Sequence, residues 1–92
     1  MSKKEKILII DDESDFTEAF RRTMEAKAFN VSAASSRAQA QDMMKDVPDV
    51  IVLGTLSPAG QAFDLHQWLK QHPRYKEIPL MVIDAQIGRA HV

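Results

Sequence analysis

Cysteine is missing from this 92-residue chain, which excludes a disulfide framework and a thiolate metal site and fits a cytoplasmic protein. Glycine and proline are sparse, at 3 and 4 residues, and there is no internal repeat, low-complexity segment or interdomain linker. No apolar stretch approaches the length of a membrane span. Neither sign of charge dominates: a formal net charge of −1 gives no overall pull toward nucleic acid or membrane. The basic run Lys3, Lys4, Lys6 is interrupted by Glu5 and followed by only four apolar residues, so it is neither a signal peptide nor a nuclear-type patch. What remains is an ordinary globular composition, 45% apolar and 27% charged, long enough for one domain with one modest core.

The chain is organised around Lys6 to Glu13, KILIIDDE, where Ile7 to Ile10 run unbroken into Asp11, Asp12 and Glu13. A continuous apolar run this short suits a strand covered on both faces, the pattern of a parallel sheet. Three acids then concentrate negative charge at the carboxyl end of the strand, where open α/β sheets place their ligand crevice. Adjacent carboxylates repel, so the pair makes most sense beside a hard cation or a cationic side chain. The plainer alternative is that they are solvated turn residues favouring a following helix N-terminus.

Ser14 or Asp15 is placed to cap a helix running to about Lys27, with Asp15 and Glu18 as an acidic version of the capping box. Phe16, Phe20 and Met24 give it an apolar core-facing side. Phe29 to Ala34 reads as a second strand, and Ser35 or Ser36 as the cap of a helix from Arg37 to about Asp46 buried through Ala40, Met43, Met44 and Val47. Val50 to Leu53 is another continuous apolar run. After it, Gly54 to Gly60 is a loop by its Gly, Ser and Pro content. Gln61 to His72 is helical, with Phe63, Leu65, Trp68 and Leu69 inward, and Ile78 to Ile83 is a fourth strand followed by Asp84. The order βαβαβαβ requires a parallel sheet with helices on both sides. His66 and His72 have no metal-spaced partner and read as solvated helix positions.

In order and spacing, the acids after the first strand, Pro48-Asp49-Val50-Ile51-Val52-Leu53, the proline four residues past Gly54, and Ile78-Pro79-Leu80-Met81-Val82-Ile83 resemble the receiver domain of two-component response regulators. The resemblance implies an α/β, flavodoxin-like (CheY-like) doubly wound parallel sheet with strand order 2-1-3-4, the fifth strand and last helix of the family being absent. It also implies phosphoryl transfer from a histidine kinase to an aspartate after strand three. Two acids hold magnesium, and a Ser/Thr after strand four and a lysine after strand five complete the site.

Carried over residue by residue, that machinery is incomplete. Asp11 and Asp12 match the acidic pair and are candidate magnesium ligands, Asp12 the more direct of the two. The phosphoacceptor position is Gly54, which has no side chain to phosphorylate, and the Ser/Thr position is Asp84, which would repel a phosphoryl group. Thr55 and Ser57 flank the gap at the wrong spacing. No residue is therefore assigned as catalytic, and no cofactor beyond weakly held magnesium is expected. A more speculative arrangement brings Asp12 and Asp84, about two strand spacings or roughly 9.6 Å apart at their origins, to one cation over Gly54.

Residues 87–92, Ile-Gly-Arg-Ala-His-Val, do not continue the pattern and read as translated adapter sequence. The expected organisation is a truncated receiver-like domain over 1–86 and a non-native tail over 87–92, with His91 given no role. The function expected is that of a non-enzymatic pseudo-receiver acting by protein–protein contact with a histidine kinase or an output domain, with neither nucleic acid nor membrane as a partner. Self-association through the exposed edge of a truncated sheet is a further expectation. The alternatives are a ligand- or cation-sensing module using Asp11, Asp12 and Asp84, or a receiver phosphorylated on another acid.

Overall fold

The structure is a computed structural model and describes residues 4–58 and 60–83. Asp84 and the tail assigned to 87–92 lie outside the described residues. The elements are β1 (Lys6–Ile10), α1 (Ser14–Ala26), β2 (Asn30–Ala34), α2 (Arg37–Met43), β3 (Val50–Leu53), α3 (Gln61–Gln71) and β4 (Leu80–Val82). The strands form one sheet of order β2-β1-β3-β4, and every pairing is parallel. This is the expected four-strand order. Both continuous apolar runs lie inside the sheet because each is flanked by a neighbour on either side. Ile9 and Ile10 are fully buried.

Two clusters cover the two faces. Leu8, Ile10, Ile51 and Leu53 pack with Met44, Leu65, Leu69 and Tyr75 on the α2/α3 side. Ile7, Ile9, Val31 and Val52 pack with Phe16, Phe20 and Met24 of α1 on the other. The alternation of β1 between the two clusters follows from the period of two along a strand. At the amino end of the sheet, the Lys6 N–H donates to Asp49 Oδ2 at 2.8 Å and the Lys6 ammonium pairs with Asp46 at 2.7 Å. These bonds fix the start of β1 against the start of β3.

The helix ends depart from the expectation. The N-cap of α1 is Glu13, whose side chain makes no cap hydrogen bond. Glu18 does not reach back to the helix start; it bonds forward to Arg21 and Arg22. At α2 the Ser36 hydroxyl does accept the Gln39 N–H, while Gln39 Oε1 accepts the Ser35 N–H at 2.7 Å. That helix stops at Met43, short of Asp46, and Val47 is 42% exposed where a buried residue was expected. Phe63 on α3 is 65% exposed, in contrast to Leu65 at 0% and Leu69 at 2%. Leu65 and Leu69, four apart, define the inward face of the helix, and Phe63 lies off it.

Phe29 leaves the strand assigned to it and serves the end of α1. The Ala28 N–H donates to Glu25 O and the Phe29 N–H to Met24 O at 3.1 Å, with Ala28 at φ 71°. This is a Schellman ending with alanine in the left-handed position where glycine is usual. The contact between Phe29 and Met24 within the α1-side cluster accompanies it. An L-residue there costs about 1–2 kcal/mol, partly offset because glycine has more unfolded-state freedom to lose. Ala28→Gly is expected to raise stability by about 0.5–1 kcal/mol, read as a higher urea midpoint with unchanged slope. A lower midpoint would show the strain to be absent.

Glu18 also sets a pH response. Hydrogen bonding to the Arg21 guanidinium, with Arg22 adding to it, holds the Glu18 carboxyl below its ordinary value of 4.5. A group depressed in the folded state contributes stability above its unfolded value and loses it as the pH falls through the folded value. Glu18→Gln is expected to melt slightly below the parent at neutral pH. The gap should close below pH 4.5 and shrink in high salt, since the pair is solvent-exposed. A gap that persisted unchanged at low pH would assign the loss to something other than charge.

Candidate functional site at the carboxyl end of the sheet

The parallel register pairs Ile10 with Leu53, so one step further along, Asp11 meets Gly54. Backbone bonds carry the pairing beyond the strands: the Gly54 N–H donates to Ile10 O at 2.7 Å and the Asp12 N–H to Thr55 O at 3.0 Å. The Asp11 side chain then crosses between strands. Its Oδ1 accepts the Glu13 N–H at 2.8 Å and its Oδ2 accepts the Thr55 N–H at 3.0 Å. Asp11 is 8% exposed, the only polar residue among the described buried ones. A buried carboxylate needs such donors. Asp12 is exposed, and its Oδ2 accepts the Ser57 N–H at 2.6 Å.

The two acids are thus brought together with Gly54, Thr55 and Ser57, but through backbone amides, not through the Thr and Ser hydroxyls. The sequence reading missed these amide donors. The signal was available in the register, since equal-length runs ending at Ile10 and Leu53 put an acid opposite a glycine. The family resemblance implies magnesium here, and the described donors fit it poorly: both carboxylates are engaged by N–H groups, and strand three supplies none. Among the described residues no three acidic or imidazole side chains converge at metal spacing, whereas hard cations take six or more oxygens.

Beside the loop, a cavity of about 550 Å³ opens between β3, β4 and α3, with Gly54, Thr55, Phe63, His66 and Val82 in its lining. His66 is therefore a half-buried cavity residue, not a solvated one. His72 is also half-buried: its ring stacks on Tyr75 at 4.0 Å, and Nδ1 accepts the Arg74 N–H at 3.1 Å. At the outer strand of the described sheet, Met81 and Val82 are 58% and 54% exposed. No helix of the described residues is long and apolar enough to cross a membrane.

A parallel sheet of order 2-1-3-4, wound with helices on both faces and with its polar groups gathered at the carboxyl ends, defines the doubly wound α/β class. Within that class the relatives are consistent. The chain is 29% identical over 84 residues to the transcriptional regulatory protein CpxR of Escherichia coli (strain K12), and 31% identical over 85 residues to the response regulator PleD of Caulobacter vibrioides. Each alignment covers 91% of this chain, which spans 36% of the length of CpxR and 19% of that of PleD. The non-phosphorylated HemR receiver domain of Leptospira biflexa superposes with a TM-score of 0.79 at 25% identity, covering 94% of this chain and 68% of that one. The chemotaxis response regulator CheY4 of Vibrio cholerae, at TM-score 0.78 and 20% identity over 87% of this chain and 68% of its own, shares the fold. No family model matches the chain. In sequence and in fold the chain matches the CheY-like receiver domains of two-component response regulators.

Proposed function

We propose that this domain is a pseudo-receiver, which takes part in two-component signalling by binding another protein and does not itself accept a phosphoryl group. The observation that carries this reading is Gly54. It stands at the end of β3 opposite Asp11, where the family resemblance places the acceptor aspartate. The nearby acids do not replace it well. Asp11 is buried with both oxygens accepting backbone N–H groups, and Asp12 is held by the Ser57 N–H. With both oxygens accepting N–H bonds Asp11 is a weaker nucleophile, and Asp12, bonded through Oδ2 alone, is the acid to watch in the test. The partner is a protein, a histidine kinase or an output domain, met through the carboxyl-end loops. Exposure to acetyl phosphate with magnesium tests the reading. Intact mass should show no phosphoryl gain, and a gain at Asp11 or Asp12 would sink it.

A further inference from the structure

We infer that Asp11 and Gly54 are an obligate pair, in which the Asp11 carboxylate takes the space of a residue-54 side chain and pins the loop from Gly54 to Ser57 in one conformation. Residue 11 is on this account a positioning residue. The inference deepens the pseudo-receiver reading and rests on it for its functional meaning, because a pinned loop presents the same surface to a partner at all times.

The reason for glycine at 54 is spatial. Of the described glycines, Gly60 has a positive φ, at 98°, and Gly54 does not. The backbone at 54 would therefore accept any L-residue. What excludes one is the neighbour: a Cβ on residue 54 would overlap Asp11 Oδ2, and would lie 2.9 Å from Asp11 Cγ and 3.2 Å from Asp11 Cβ. The intruding atoms are not the far end of a long side chain. Aspartate is short, and swinging its carboxylate away breaks the bonds to the Glu13 and Thr55 N–H groups together.

Those bonds do the positioning. The Thr55 N–H is held by Asp11 Oδ2, Thr55 O by the Asp12 N–H, and the Ser57 N–H by Asp12 Oδ2. Three bonds thus clamp the loop after β3 to the turn after β1, and the buried one depends on Gly54. Because the carboxylate comes from within the fold, no added group is needed to set the loop.

Amide hydrogen exchange and urea unfolding on the whole chain, for the parent, Gly54→Ala, Asp11→Ala and the double variant, test the pairing. In Gly54→Ala the Thr55 and Glu13 amides should exchange about tenfold faster or more, as expected when a buried charge-assisted bond is lost. In Asp11→Ala they should already be fast, and adding Gly54→Ala should leave their rates unchanged and the urea midpoint unchanged or slightly higher, since alanine has less unfolded-state freedom to lose. If Gly54→Ala does not fold, the double variant should fold, since removing the carboxylate restores the space. Unchanged protection of Thr55 in Gly54→Ala, losses that add, or a double variant no better folded than Gly54→Ala would overturn the pairing. No phosphodonor or partner enters this test, so its failure leaves the pseudo-receiver reading standing. A phosphoryl gain would remove that reading without touching the pair.

Discussion

Acetyl phosphate with magnesium is expected to leave the mass of this protein unchanged, under conditions where a receiver carrying an acceptor aspartate gains one phosphoryl group. Gly54 has no side chain where the family resemblance places the nucleophile, and the neighbouring Asp11 has both oxygens accepting backbone N–H groups. Gly54→Asp should fail to restore strong labelling for a reason specific to this chain. The new Cβ would overlap Asp11 Oδ2, and the added carboxylate would meet Asp11 and Asp12 with like charge. Restoring the aspartate displaces an existing carboxylate instead of refilling an empty space. The informative pair is Gly54→Asp alone and Gly54→Asp with Asp11→Ala, followed by intact mass and by peptide mapping under conditions that preserve acyl phosphates. Gly54→Asp alone should stay far from stoichiometric labelling, and removing the Asp11 carboxylate beside it should raise the labelling. Full labelling of Gly54→Asp alone would show that the Asp11 carboxylate yields easily.

What could be read from the sequence was set by how strongly each segment signals. Ile7 to Ile10 and Val50 to Leu53 are short continuous apolar runs, and such runs have few homes except the interior of a parallel sheet. The parallel sheet followed from them and from the helical crossovers, whereas the strand order β2-β1-β3-β4 was implied by the family resemblance. Segment ends were harder, because they turn on single hydrogen bonds. Phe29 has the apolar character of a strand residue, yet its N–H closes the end of α1. Glu18 has the spacing of a capping residue, yet two arginines one turn on compete for it successfully. At the site, residue types announced acids and a glycine where the family resemblance implies an acceptor. They did not announce that the acid after β1 occupies the space left at β3, because that depends on a side-chain direction across a register. Asp84, assigned to a shared cation site, lies outside the described residues. The magnesium assignment of Asp11 and Asp12 now has to accommodate amide partners on both carboxylates.

The largest loss of stability is expected at Leu65, and the useful comparison is with Phe63 on the same helix. Both are apolar and were expected to face inward, but two positions apart they lie on opposite sides of a helix; the structure buries Leu65 completely and leaves Phe63 65% exposed on the wall of the cavity. Leu65 belongs to the cluster joining Ile10, Ile51 and Leu53 of the sheet to Leu69 and Tyr75. Truncating it removes apolar contact from both layers and leaves a void that close packing does not readily refill. Leu65→Ala should therefore cost about 2–5 kcal/mol, a large share of the roughly 5–15 kcal/mol by which native domains are stable. Phe63→Ala should change stability by about 0.5 kcal/mol or less, as exposed substitutions do. Urea denaturation followed by Trp68 fluorescence, one turn along α3, measures both in the same background. A loss at Phe63 as large as that at Leu65 would mean that the cavity wall is packed in solution and that its residues belong to the core. A small loss at Leu65 would mean that α3 is not docked on the sheet, and with it the positions given to the loop from Gly54 to Ser57 would fall.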